Sequence, residues 1–110
     1  MFSRPWRIIP GSGQSLSLTT ATAATFANAL GASTLGGQTY AVAVRFAPAA
    51  TPYVGLVTIT HAGTAATAST DYPMSSNDPT TVFICAPGDK VSCYQASGGT
   101  VLAYLAELTR

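Results

Sequence analysis

Apolar and polar residues alternate along most of this chain with a period of two, the spacing that sends successive side chains to opposite sides of a strand. Leu16 and Leu18 stand between Ser15, Ser17 and Thr19. In residues 39–46, Tyr40, Val42, Val44 and Phe46 fall on one face, with Ala41, Ala43 and Arg45 on the other. Pro48 and Pro52 end that strand, and Tyr53 to Thr60 predicts the next. Residues 81–85 form a short apolar run closed by Pro87-Gly88-Asp89. Lys90 to Gln95 and Thr100 to Leu108 complete the series, joined by a turn at Gly98-Gly99. Only Ala21 to Leu30 has a helical composition. Its Thr22, Thr25 and Asn28 are weak helix formers and Gly31 stops it, so a single turn or a crossing loop suits it better. Six to eight short strands separated by turns predict an all-β domain, either a sandwich or a small barrel.

The first ten residues break this pattern. Met1 to Pro10 holds the only Trp, two of the five basic residues, and prolines at 5 and 10. Proline fixes φ and removes a ladder donor, which predicts an extended, irregular segment. With Gly11-Ser12-Gly13 as a hinge behind it, residues 1–13 read as an arm and residues 14–110 as one domain. The arm could lie on its own domain or reach a neighbour. In the second case Arg4, Trp6, Arg7 and Ile8 are the candidate anchor, since Trp and Arg are the types most enriched at interface hot spots. Deleting residues 1–10 is then expected to abolish partner binding and leave the fold intact.

Composition sharpens this picture. Of 110 residues 47% are hydrophobic and only 8% are Asp, Glu, Lys or Arg, against a usual charged share of about 25%. With a formal net charge of +1, little self-repulsion keeps copies apart, and such surfaces associate unless a partner covers them. Five basic residues are too few for the patch that phosphate binding requires, so no nucleic-acid role is expected. No run of 18 apolar residues is present, and no membrane role is expected. Gly11 to Gln14 interrupts the apolar run a signal peptide needs, which predicts synthesis and assembly in a cytoplasm.

The inventory for chemistry is short. Asp78 beside Pro79, Asp89 beside Gly88 and Asp71 beside Tyr72-Pro73 all sit in turn-forming company. Glu107 lies in the last predicted strand, and no spacing brings two of these carboxylates together. His61, at the end of Val57-Thr-Ile-Thr-His61, has no nucleophile motif near it. No catalytic residue, cofactor or small-molecule substrate is expected. Cys85 and Cys93 flank the Ala86–Lys90 turn. If that turn closes a hairpin, the two lie on paired strands, either bridged or as buried thiols acting as small hydrophobes. One histidine and two cysteines are too few for a zinc site. The aromatics Tyr40, Phe46, Tyr53, Phe83, Tyr94 and Tyr104 are expected to pack the core or pair across strands. A carbohydrate-binding face would need two or three of them exposed together.

The stretch from Val82 to Arg110, with its apolar strand, Ala86-Pro-Gly-Asp-Lys-Val91 turn, Gly99-Thr100 step and final Glu107-Leu-Thr109, resembles small virion proteins of tailed bacteriophages. Gly37-Gln-Thr-Tyr-Ala-Val-Ala-Val-Arg-Phe-Ala-Pro48 and Pro52-Tyr-Val-Gly-Leu56 resemble the middle of the same proteins; the cysteine pair is not part of that pattern. The family is that of head decoration or cement proteins. The resemblance implies a small antiparallel β-sandwich, jelly-roll-like, that binds the major capsid protein on the outer surface of the head and stabilises the shell. A homo-oligomer, dimer or trimer, is expected on general grounds of symmetric assembly. A neck, tail or fibre component, or an independent carbohydrate-binding sandwich, is the alternative.

Overall fold

A computed structural model describes residues 6–19, 21–26, 41–60, 72–96 and 99–109. Nine strands run through them: β1 (Arg7–Ile8), β2 (Gln14–Leu18), β3 (Ala24–Thr25), β4 (Ala41–Phe46), β5 (Val54–Thr60), β6 (Tyr72–Ser75), β7 (Thr81–Ile84), β8 (Lys90–Gln95) and β9 (Val101–Thr109). Among the described residues there is no helix. The strands form two antiparallel sheets. One is ordered β1-β9-β4-β7, with β2 also on β9, and the other β3-β8-β5-β6.

The order follows a single rule. β2 pairs with β9, β3 with β8, β4 with β7 and β5 with β6. The chain is therefore one long antiparallel ribbon whose tip is β5–β6, folded over so that alternate pairs fall in opposite sheets. Lateral ladders between β4 and β9 and between β5 and β8 then close each sheet. This is the wrapping of an eight-stranded jelly roll, and the sandwich expected from the alternation is the observed one. The apolar positions of the sequence fill the space between the sheets. Val42, Val44 and Phe46 of β4, Ala103 and Leu105 of β9, Val57 of β5, and Val91 and Cys93 of β8 share one core with Leu18, Phe26 and Met74.

Three strands were not legible in the alternation. β1 and β3 are two residues each, too short to show a period. β6 contains Pro73, which argues against a central strand but is tolerated at an edge; β6 is the edge of its sheet. Within the Ala21–Leu30 segment the described part is no helix: Ala24 and Thr25 pair with Cys93 and Ser92. Residues 27–30 lie outside the described residues, as do Tyr40, His61 and Asp71.

Residues 7–13 are not a free arm. Arg7 and Ile8 pair with Thr109 and Leu108, and the Ile9 N–H donates to the Glu107 carbonyl at 2.9 Å. The Ile9 side chain is fully buried. Ser12, also buried, fixes the return: its Oγ accepts from the Glu107 N–H at 3.0 Å and donates to the Glu107 carbonyl at 3.5 Å. These bonds from one buried hydroxyl to the Glu107 backbone tie the segment to β9. Residues 7–12 are thus part of the folded sheet ahead of Gln14, and a deletion through residue 10 removes part of it.

Candidate interaction surface

An antiparallel sheet with one solvated face ordinarily presents polar side chains there. The sheet containing β9 does otherwise. Its inward positions are Val101, Ala103 and Leu105 on β9, Val42, Val44 and Phe46 on β4, and Phe83 on β7. Alternation leaves Leu102, Tyr104 and Ala106, then Ala41, Ala43 and Arg45, then Val82 and Ile84 on the outer side. Register places them in rows. Ile8, Leu108, Ala41 and Ile84 form one row across β1, β9, β4 and β7, in which Leu108 and Ala41 are buried and the flanking Ile8 and Ile84 exposed, and Ala106, Ala43 and Val82 form the next. Tyr104 and Arg45 face each other in the third, with Ser15 beyond.

Ile84 is 73% exposed, Ile8 66%, Tyr104 45%, and Val82 and Leu102 are exposed with them. Of the large hydrophobic side chains exposed among the described residues, only Val54 and Tyr72 lie elsewhere. Several large apolar side chains exposed on one sheet face suggest an interaction site, whereas hydrophobics exposed singly do not. Because Ala43 and Ala106 are directly paired, their short side chains leave a depression between larger neighbours. A groove of about 290 Å³ runs there, lined by Ile8, Tyr104, Ala43, Ala106, Arg45 and Thr80.

Of the residues singled out as an anchor, Ile8 alone stands in this groove. Trp6 is half-buried and Arg7 lies on β1; both are engaged in contacts within the chain. Arg4 lies outside the described residues. The residues that sequence reasoning missed are Arg45, Val82, Ile84, Leu102 and Tyr104. Tyr104, expected in the core or in a cross-strand pair, faces outward. A signal was present in the sequence. Val82-Phe-Ile84 and Val101-Leu-Ala-Tyr-Leu105 are continuously apolar, and in an antiparallel sheet a continuous run means that both faces want cover.

The remaining aromatics among the described residues are accounted for within the fold. Phe46 and Tyr53 meet edge to face with centroids 6.2 Å apart, and the Tyr53 hydroxyl donates to the Ala47 carbonyl at 2.6 Å. Tyr72 on β6 and Phe83 on β7 make a second edge-to-face pair at 5.2 Å. Since β6 and β7 are edges of opposite sheets, that pair closes the open side of the sandwich. Tyr94 is partly buried on β8.

The polar groups serve turns. The Asp89 N–H donates to the Ala86 carbonyl at 3.2 Å, and the Asp89 carboxylate accepts from the Ala86 N–H at 2.9 Å. Gly88 adopts φ 92° between them, the left-handed position that a type II turn with proline before it requires. Asp78 repeats the arrangement, accepting from the Ser75 N–H at 2.7 Å. The 86–89 turn does not close a hairpin, because β7 and β8 belong to different sheets. Cys93 sits opposite Val57 and Ala24, and Cys85 lies past the end of β7; both thiols are free. Burial, with Asp89 and Glu107 adding to it, pushes the Cys85 thiol up to about 11. Burial alone pushes Cys93 up to about 12. Among the described residues no three His, Cys, Asp or Glu side chains gather as a metal site needs.

Comparison of the chain with protein-family models, with curated proteins and with solved structures gave no match.

Proposed function

We propose that this chain is a non-enzymatic virion structural protein, a decoration or cement protein that binds the major capsid protein on the outer surface of a tailed-phage head. The observation that carries this reading is the apolar outer face formed by Ile8, Val82, Ile84, Leu102 and Tyr104. A protein destined to stay dispersed would not leave that face bare. The charge-poor composition, with 8% Asp, Glu, Lys and Arg, favours permanent contact over free diffusion. The two-sheet jelly roll supplies a stiff plate on which such a face can be held flat; the fold alone does not specify the role. The resemblance of residues 36–110 to small virion proteins gives the assembly its identity. A contact of standard size, about 1,600 Å² in total, repeated over a lattice would reinforce a shell through avidity without any single tight contact.

The test is stoichiometry. Purified particles are analysed by quantitative mass spectrometry for copies of this chain relative to the major capsid protein. Hundreds of copies in a simple ratio to capsid subunits are expected. A dozen copies would move the protein to the neck or tail, and none would end the virion reading.

A further inference from the structure

Arg45 is the one charged side chain on the outer face of the β9 sheet among the described residues. It stands exposed at the edge of the groove over Ala43 and Ala106, opposite Tyr104. Among the described residues no carboxylate shares that face. Glu107 points inward by alternation and is buried, Asp89 is bound into its turn, and Asp78 caps the loop before β7. The imbalance decides what can cover the face. A second copy stacked face to face over the groove would strip water from two guanidinium groups, and the described residues of that face offer neither a partner. Burying an unpaired cation costs several kcal/mol, so the face is poorly suited to self-association.

We infer that the Ile8–Ala43–Arg45–Tyr104–Ala106 groove receives an acidic side chain set among apolar residues on a different protein, with Arg45 binding its carboxylate. The assignment rests on the docking role proposed above and narrows it to a heterologous contact. The guanidinium can hold a carboxylate through two parallel hydrogen bonds, which adds direction as well as charge. The flanking isoleucine, tyrosine and alanines accept the neighbouring apolar side chains.

The probe is the peptide N-acetyl-Leu-Glu-Leu-amide at millimolar concentration, titrated into the full chain and followed by amide chemical shifts. Shifts confined to Ile8, Ala43, Arg45, Tyr104 and Ala106 are expected. Binding should weaken about tenfold with the Gln counterpart of the peptide, or with R45Q and the original peptide, as loss of a charge-assisted pair requires. R45K, which keeps the charge and loses the fork, should fall between. Arg45 is exposed, so all variants should keep the parental denaturation midpoint. No localised shifts, or shifts indifferent to Glu→Gln and to R45Q, would overturn the assignment. So would a concentration-dependent dimer in sedimentation that is broken by I84S. If particles lack this chain while the peptide behaves as described, the virion reading falls and the groove stands. If particles carry it and R45Q occupies them at parental stoichiometry, the groove assignment falls alone.

Discussion

Gly55 is where the packing of this sandwich is least forgiving. It lies on β5, paired with Met74 and Gln95, and its missing side chain is what lets the Phe46 ring of the opposite sheet come down onto the β5 backbone. A Cβ placed there would stand 2.6 Å from Cε2 and 2.7 Å from Cε1 of Phe46, and closer still to Cζ. Real carbon contacts do not occur at those distances, so Gly55→Ala must displace the ring. Phe46 has nowhere to go: it is fully buried and set edge-on to Tyr53, itself tied to Ala47. Overpacking of this sort costs about 1–3 kcal/mol. Against it stands the roughly 0.5–1 kcal/mol by which alanine ordinarily improves on glycine in a strand. The net should remain a loss, seen as a lower urea midpoint with unchanged slope. A cycle with Phe46→Leu isolates the cause. Alone, Phe46→Leu opens space and destabilises; combined with Gly55→Ala it should cost less than the two losses added, with a coupling of about 0.5–3 kcal/mol. A Gly55→Ala protein as stable as the parent, or a strictly additive cycle, would refute this account of the core.

Ser12→Ala leaves the buried Glu107 N–H without its acceptor and should cost about 1–3 kcal/mol by chemical denaturation, locating the true start of the fold ahead of Gln14. Ile84→Ser, at a side chain 73% exposed, should shift stability by no more than about 0.5 kcal/mol; the proposed docking role further requires that it sharply reduce occupancy on purified particles. The two thiols should resist alkylation in the native state at neutral pH and react only as the chain unfolds, because their raised values leave about a hundredfold less thiolate or lower still; rapid native labelling of Cys93 would contradict its burial. The same shifts set an alkaline limit. Folded thiols hold their protons to higher pH than unfolded ones, so the unfolded state binds fewer protons above about pH 9 and stability must fall from there towards the folded values. Urea midpoints across that range should show the decline, and Cys93→Ala should flatten it.

Much of the architecture was written in local pattern. Six of the strands follow from alternation alone, because a half-buried strand sorts its own residues: Val42, Val44 and Phe46 are apolar where the core needs them. Turn chemistry was equally legible, since Pro87-Gly88-Asp89 has few other conformations to adopt. The short strands β1, β3 and β6 carry no period of their own. They exist because β9, β8 and β5 present unsatisfied backbone edges beside them, which is information held by the partner strand. Likewise Cys85 and Cys93 look like hairpin partners until the sheets are assigned, and a turn that joins two strands is locally the same whether they pair or part.

The interaction surface divides in the same way. That the chain has more apolar surface than one core can absorb follows from its composition and from the unbroken runs at 82–84 and 101–105. Where the surplus goes could not follow, because alternation names two faces without saying which is inner. Only the ribbon's wrapping, which brings β1, β9, β4 and β7 side by side, turns Ile8, Ile84, Val82, Tyr104 and Leu102 from separate residues into one surface. It also sets Arg45 among them with no carboxylate from the described residues. Sequence determines what each strand offers to its two sides; long-range pairing decides which offers are combined and which side meets the solvent.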